Sequence, residues 1–96
     1  MNRYTVVWDP ELESDFIGYW IQADTSLRAA LTHASNWIDT NLAVNPETQG
    51  RTSAVDATCR SLLVPDTGAF SIFVLYRVIP EDRQVEVLDI QHILNK

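Results

Sequence analysis

The sequence predicts an α+β domain in the order β-α-α-β-β-β, with a helical hairpin packed on one face of a small twisted antiparallel sheet. Three observations carry that prediction. Residues 70–79, FSIFVLYRVI, are apolar on both strand faces except at Ser71 and Arg77, which is how a central strand reads. Two stretches with apolar residues at the helical period follow each other across a connection of only a few residues around Ala23 and Asp24. Two further strand-like runs flank 70–79 across breaker loops of hairpin length.

Taken in order, Tyr4-Thr5-Val6-Val7-Trp8 is a short strand stopped by Asp9-Pro10. The same pair starts a helix. Asp9 can accept orphan backbone N–H groups as N-cap, and Pro10 suits the first helical position. Glu11, Glu13 and Asp15 place negative charge where the helix dipole favours it. Leu12, Phe16, Ile17, Trp20 and Ile21 then form one apolar stripe.

A second helix begins near Thr25 or Ser26, with Leu27, Leu31, Ala34, Ile38 and Leu42 on one face, and its pattern stops before Asn45-Pro46. The short connection makes the two helices an antiparallel hairpin. His33 and Trp37 lie beside that apolar face; a lone His there reads as a surface or packing residue, and Trp37 as packing at the helix–sheet edge. Residues 45–57, NPETQGRTSAVDA, are a polar loop rich in turn formers. Strands over Thr58–Val64, Phe70–Ile79 and Gln84–Ile90 complete an antiparallel meander. In the first of these, Arg60, Leu62 and Val64 share one face and Cys59, Ser61 and Leu63 the other. In the last, strict alternation sets Val85 and Val87 opposite Leu88 and Ile90.

A chain of 96 residues is one small domain, 1–96, able to bury a single core. Its one cysteine, Cys59, has no partner for an intramolecular disulfide and no metal-spaced histidine nearby, so it reads as packing, and neither a cofactor nor a metal is expected. No apolar run is long enough to span a bilayer and no signal-peptide pattern is present, so a soluble cytoplasmic protein without a membrane partner is expected. The net charge of -6 argues against direct DNA binding, which calls for a basic face. The charge is uneven: residues 1–50 hold two basic side chains against seven acids, whereas residues 51–96 hold five against six. One helical hairpin covers one face of the sheet. A central strand apolar on both faces therefore implies either a partner on the other face or a sheet curled into a cleft.

The segments VVWDPELESDF, AALTHASNWIDTNLAVNP leading to Gly50, CRSLLV, and VLYRVIPEDRQVEVLDIQHI resemble, in order and spacing, the RelE/ParE superfamily of bacterial type II toxins. The last segment is the most specific part. The resemblance implies a cognate antitoxin as partner, wrapping the toxin with an extended or helical tail. In the RelE branch it implies messenger-RNA cleavage in the ribosome by Lys, Arg, His and Tyr side chains on the exposed sheet. In the ParE branch it implies inhibition of DNA gyrase without that ribonuclease set.

Metal-free RNA cleavage needs a group to activate the 2′-hydroxyl, a cation at the phosphate and an acid for the leaving oxygen. By the resemblance, Arg60, Tyr76 and His92 are the candidate catalytic residues, and Arg60 and Arg77 the candidate partner-binding ones. The sequence departs from the ribonuclease pattern. Ser71, Ile72 and Phe73 stand where an additional Arg is expected, and Leu62 and Leu63 stand where the second strand would carry Lys. Alternation also sends Tyr76 and Arg77 to opposite faces. Tyr76 then reads as a core residue with a tethered hydroxyl, and Arg77 as a partner for Glu86 or Asp89. The preferred reading is a ParE-like toxin acting by protein binding, with a ribosome-dependent endoribonuclease as the alternative. A non-toxic binding module of the same fold, associating with a partner or as a homodimer through its open sheet face or an edge strand, is the third reading.

Overall fold

The computed structural model describes residues 3–54 and 56–95; Val55, which belongs to the polar loop, and Lys96 lie outside the described residues. The elements are β1 (Thr5–Trp8), α1 (Pro10–Gln22), α2 (Thr25–Asn41), β2 (Arg51–Thr52), β3 (Cys59–Val64), β4 (Phe70–Ile79) and β5 (Gln84–Leu94). They build one sheet in the order β1-β5-β4-β3-β2, with the two helices packed on it. The α+β architecture is therefore the expected one.

Both helix starts follow from their caps. The Asp9 carboxylate accepts the Leu12 N–H at 3.2 Å with Pro10 at the first helical position, and the Asp24 carboxylate accepts the Leu27 N–H at 2.9 Å. The last turn of α1 contains no basic residue, and Arg28 supplies the cation from α2. Its guanidinium donates to the carbonyls of Trp20 (3.1 Å), Ile21 (3.0 Å) and Ala23 (3.4 Å), and lies 4.4 Å from the centre of the Trp20 ring. Carbonyls that the helix leaves without partners are thus satisfied, and the hairpin turn is tied.

The core forms where α2 lies over β3 and β4 and α1 meets β5. Leu31, Ala34 and Ile38 from α2 and Leu42 at its C-cap join Ile72, Val74 and Tyr76 from β4 and Val85 and Val87 from β5 in one cluster. Burying each of Leu31, Ile38 and Leu42 contributes about 1.5–3 kcal/mol. Only part of the α1 stripe joins this core. Leu12 is buried and Phe16 packs against the core, whereas Ile17 is 51% and Ile21 62% exposed. Phe16 lies one turn below Leu12 on the same line, while Ile17 and Ile21 are rotated onward by one position and face outward.

Three features differ from the expected sheet. β1 runs parallel to β5, with Thr5 opposite Gln84 and Trp8 opposite Val87, so the sheet is mixed while its remaining pairs are antiparallel. No hairpin joins β1 to its neighbour; the pairing is made across nearly the whole chain, and no local residue pattern dictates its direction. The polar loop contains a two-residue strand, β2, beside β3. Finally, β5 continues to Leu94, and the β4–β5 register shifts between Leu75, opposite Asp89, and Tyr76, opposite Val87. Leu88 is the extra residue of this bulge. It resets the alternation, so that Ile90 packs against the core on the same face as Val85 and Val87 rather than on the opposite one.

Candidate functional site

Register divides the candidate residues between the two faces of the sheet. On the helix-covered face Arg60 stands opposite Tyr76, next to Leu62 opposite Val74. On the open face run three cross-strand rows: Cys59–Arg77–Glu86, Ser61–Leu75–Asp89 and Leu63–Phe73–Gln91. Tyr76 and Arg77 therefore do point to opposite sides.

Arg60 and Tyr76 are brought together, and both are engaged with the loop that follows α2. The Tyr76 side chain is fully buried, and its hydroxyl sits 2.8 Å from the Pro46 carbonyl and 2.7 Å from that of Gln49, one hydrogen shared between two acceptors. Arg60 donates from Nε to the same Gln49 carbonyl at 2.7 Å, and from Nη2 to the Gly50 carbonyl at 3.3 Å. Burial pushes the Tyr76 hydroxyl pKa up, with the Arg60 guanidinium acting in the opposite direction. The loop is also held by the Gln49 side chain. Its amide donates to the carbonyls of Asn41 (2.9 Å) and Val44 (2.8 Å) and accepts from the Asn41 side-chain amide. Gly50 completes the crossing with φ +68°, and a Cβ there would lie 2.3 Å from the Ser61 carbonyl oxygen.

His92 is not part of that arrangement. It lies opposite Ile72, four strand positions from Tyr76, roughly 13 Å along the sheet. Its ring meets Tyr19 of α1 edge-on, with ring centres 5.7 Å apart. Arg77 makes ion pairs with Glu86 (3.8 Å), directly across on β5, and with Asp56 (4.0 Å). Thr58 hydrogen bonds, with a smaller contribution from Arg77, hold the Asp56 carboxyl below its ordinary pKa. His33 Nε2 is 2.9 Å from the Pro65 carbonyl oxygen, as suits a packing histidine. Among the described residues no cluster of three or more potential metal ligands exists. Among the described residues no helix is long and apolar enough to cross a membrane.

The open face carries an apolar surface that residue-type reasoning about catalysis passes over. Phe73 is 38% and Leu63 53% exposed. A cavity of about 140 Å³ is lined by Ser61, Phe73, Leu75, Asp89 and Gln91, and a second hollow beside it reaches Gly50, Arg51 and Leu63, with Phe73 between them. The signal for this surface was the second apolar face of FSIFVLYRVI, whose Phe73 and Leu75 share one side by alternation. Such a surface can take an apolar chain segment, with Asp89, Gln91 and Arg51 for polar contacts at its margins.

No protein-family model matches the sequence, and no curated relative is found for it. Solved structures do match. The RelBE2 toxin–antitoxin complex of Mycobacterium tuberculosis contains a chain similar over 97% of this protein and 94% of that chain, with a TM-score of 0.70 at 19% identity. The chromosomal ParDE toxin–antitoxin system of Pseudomonas aeruginosa gives 0.64 at 17% identity, covering 97% and 99%. A free mutant of the Escherichia coli toxin RelE gives 0.58 at 15% identity, covering 92% and 81%. The helical hairpin on a five-stranded mixed sheet is thus the fold shared with these RelE and ParE structures, and the expected fold resemblance holds across nearly the full chain.

Proposed function

We propose that this chain is the toxin component of a toxin–antitoxin pair, acting by protein binding in the ParE manner and neutralised by a cognate antitoxin on its open sheet face. The observation that carries this reading is the division of side chains between the two faces. The open face offers Leu63, Phe73 and Leu75 beside a cavity. The Arg60–Tyr76 pair lies on the other face, its donors directed to loop carbonyls, with His92 some way along the sheet. The similar chains named above come from toxin–antitoxin systems, which supports an antitoxin as the partner. DNA gyrase is the first target to examine, and the ribosome the target under the ribonuclease alternative.

Induced expression in a bacterial host tests the reading. Growth arrest is expected, relieved by co-expression of the small protein from the neighbouring reading frame, and that relief should be lost with Phe73→Asp. Absence of arrest from the wild-type chain rejects the toxin reading. New messenger-RNA ends on induction that disappear with Arg60→Lys would instead establish the ribonuclease alternative.

A further inference from the structure

On the helix-covered side, where β1 enters α1, the structure holds a further, separate cavity of about 200 Å³ lined by Trp8, Glu13, Phe16, Ser35 and Asp39. Its aromatic walls are fixed. The rings of Trp8 and Phe16 meet edge to face with centres 5.3 Å apart, and the Trp8 indole N–H donates to Asp39 Oδ1 at 2.8 Å. Donation to a carboxylate polarises the indole and enriches its face in electron density, which favours a cation lying over it.

The charges around the cavity are of one sign. The Glu13 carboxylate makes no hydrogen bond or ion pair among the described residues; Asp39 accepts from Trp8 with one oxygen and has no ion pair among them. Glu11 and Asp15 stand exposed on the same helix, also without an ion pair among the described residues. Arg28, the cation of the hairpin, is committed to the opposite end of α1. An aromatic hollow with an unpaired carboxylate at its rim discriminates against a purely apolar guest and in favour of a flat cation.

We infer that this cavity receives the guanidinium of an arginine side chain from a basic partner protein, stacked against Trp8 and bonded to Glu13 and Asp39. Arginine suits the site better than lysine because its planar group can stack and present paired donors to carboxylates simultaneously. The site lies away from the open sheet face, so it stands or falls independently of the function proposed above.

The test follows the Trp8 indole N–H resonance of the full chain by NMR while adding a short leucine-flanked arginine peptide. The same peptide with neutral citrulline in place of arginine serves as control. A saturable shift at Trp8 with the arginine peptide alone is expected, with affinity weakened about threefold in Glu13→Gln, as for an exposed ion pair. The Glu13 side chain is exposed and without a partner among the described residues, so this variant retains the fold; unchanged resonances of Trp20 and Trp37 check that. No saturable shift at Trp8, an equal shift with citrulline, or undiminished affinity in Glu13→Gln would overturn the assignment.

Discussion

The two helices of the hairpin have the same sequence signature and different roles. Each starts at an Asp cap and carries an apolar stripe at the helical period. In α2 that stripe disappears into the core, with Leu31, Ala34 and Ile38, and Leu42 at the C-cap, essentially without solvent exposure. In α1 it is divided: Leu12 and Phe16 face the protein, and Ile17 and Ile21 face water. Periodicity therefore identifies a helix and its apolar side, but how much of that side is used depends on what the sheet presents to it. Here α2 lies over β3 and β4 in the middle of the sheet, while α1 rests on β5 towards the β1 edge.

Substitution separates the two helices most strongly. Ile38→Ala should destabilise the fold by about 2–5 kcal/mol, whereas Ile21→Ala should stay within roughly 0.5 kcal/mol of wild type, both measured by urea denaturation. Similar losses at the two positions would dissolve the distinction. The next effect concerns the crossing from α2 to the sheet. Gly50→Ala adds a Cβ against the Ser61 carbonyl at a positive φ, and a loss of about 1–3 kcal/mol is expected in the same measurement.

A somewhat smaller loss, about 1–2 kcal/mol, is expected for Tyr76→Phe, which leaves the Pro46 and Gln49 carbonyls short of a donor. This variant also has a pH signature. The folded protein raises the Tyr76 pKa, so the neutral phenol is favoured on folding. Its contribution is intact below the unfolded value of about 10 and is lost as pH rises through the folded one. A stability profile into the alkaline range should fall less steeply in Tyr76→Phe than in wild type, and parallel profiles would contradict the assigned cause. The finest effect is local. Arg28→Ala removes the donors at the end of α1, so amide hydrogen exchange should quicken in 17–23 and remain unchanged in 31–41.

Much of this architecture was legible because short-range chemistry specifies it. Asp9-Pro10 and the apolar face of 27–42 define the helices, and FSIFVLYRVI is indeed the middle strand of the sheet. What escaped depends on distant partners. The parallel placement of β1 is decided by β5, and the bulge at Leu88, without a glycine to mark it, returned Ile90 to the core. The candidate site was legible to a similar extent. Opposite orientations for Tyr76 and Arg77 and the Arg77–Glu86 pair follow from alternation and register. The direction of the Arg60 guanidinium does not, because it depends on where the 46–50 carbonyls come to rest, and their position is set by Asn41 and Gln49.

The parallel strand pair also constrains the order in which the structure can assemble. Thr5 to Trp8 are synthesised long before their hydrogen-bonding neighbours, Gln84 to Val87. Until those residues emerge, the growing chain can form its hairpin of helices and a partial meander, with one edge of the sheet absent. Closing so long a loop is slow compared with forming the helices. Completion of the sheet is therefore a late event, and surfaces that depend on it, including the aromatic hollow at Trp8, come into being only then.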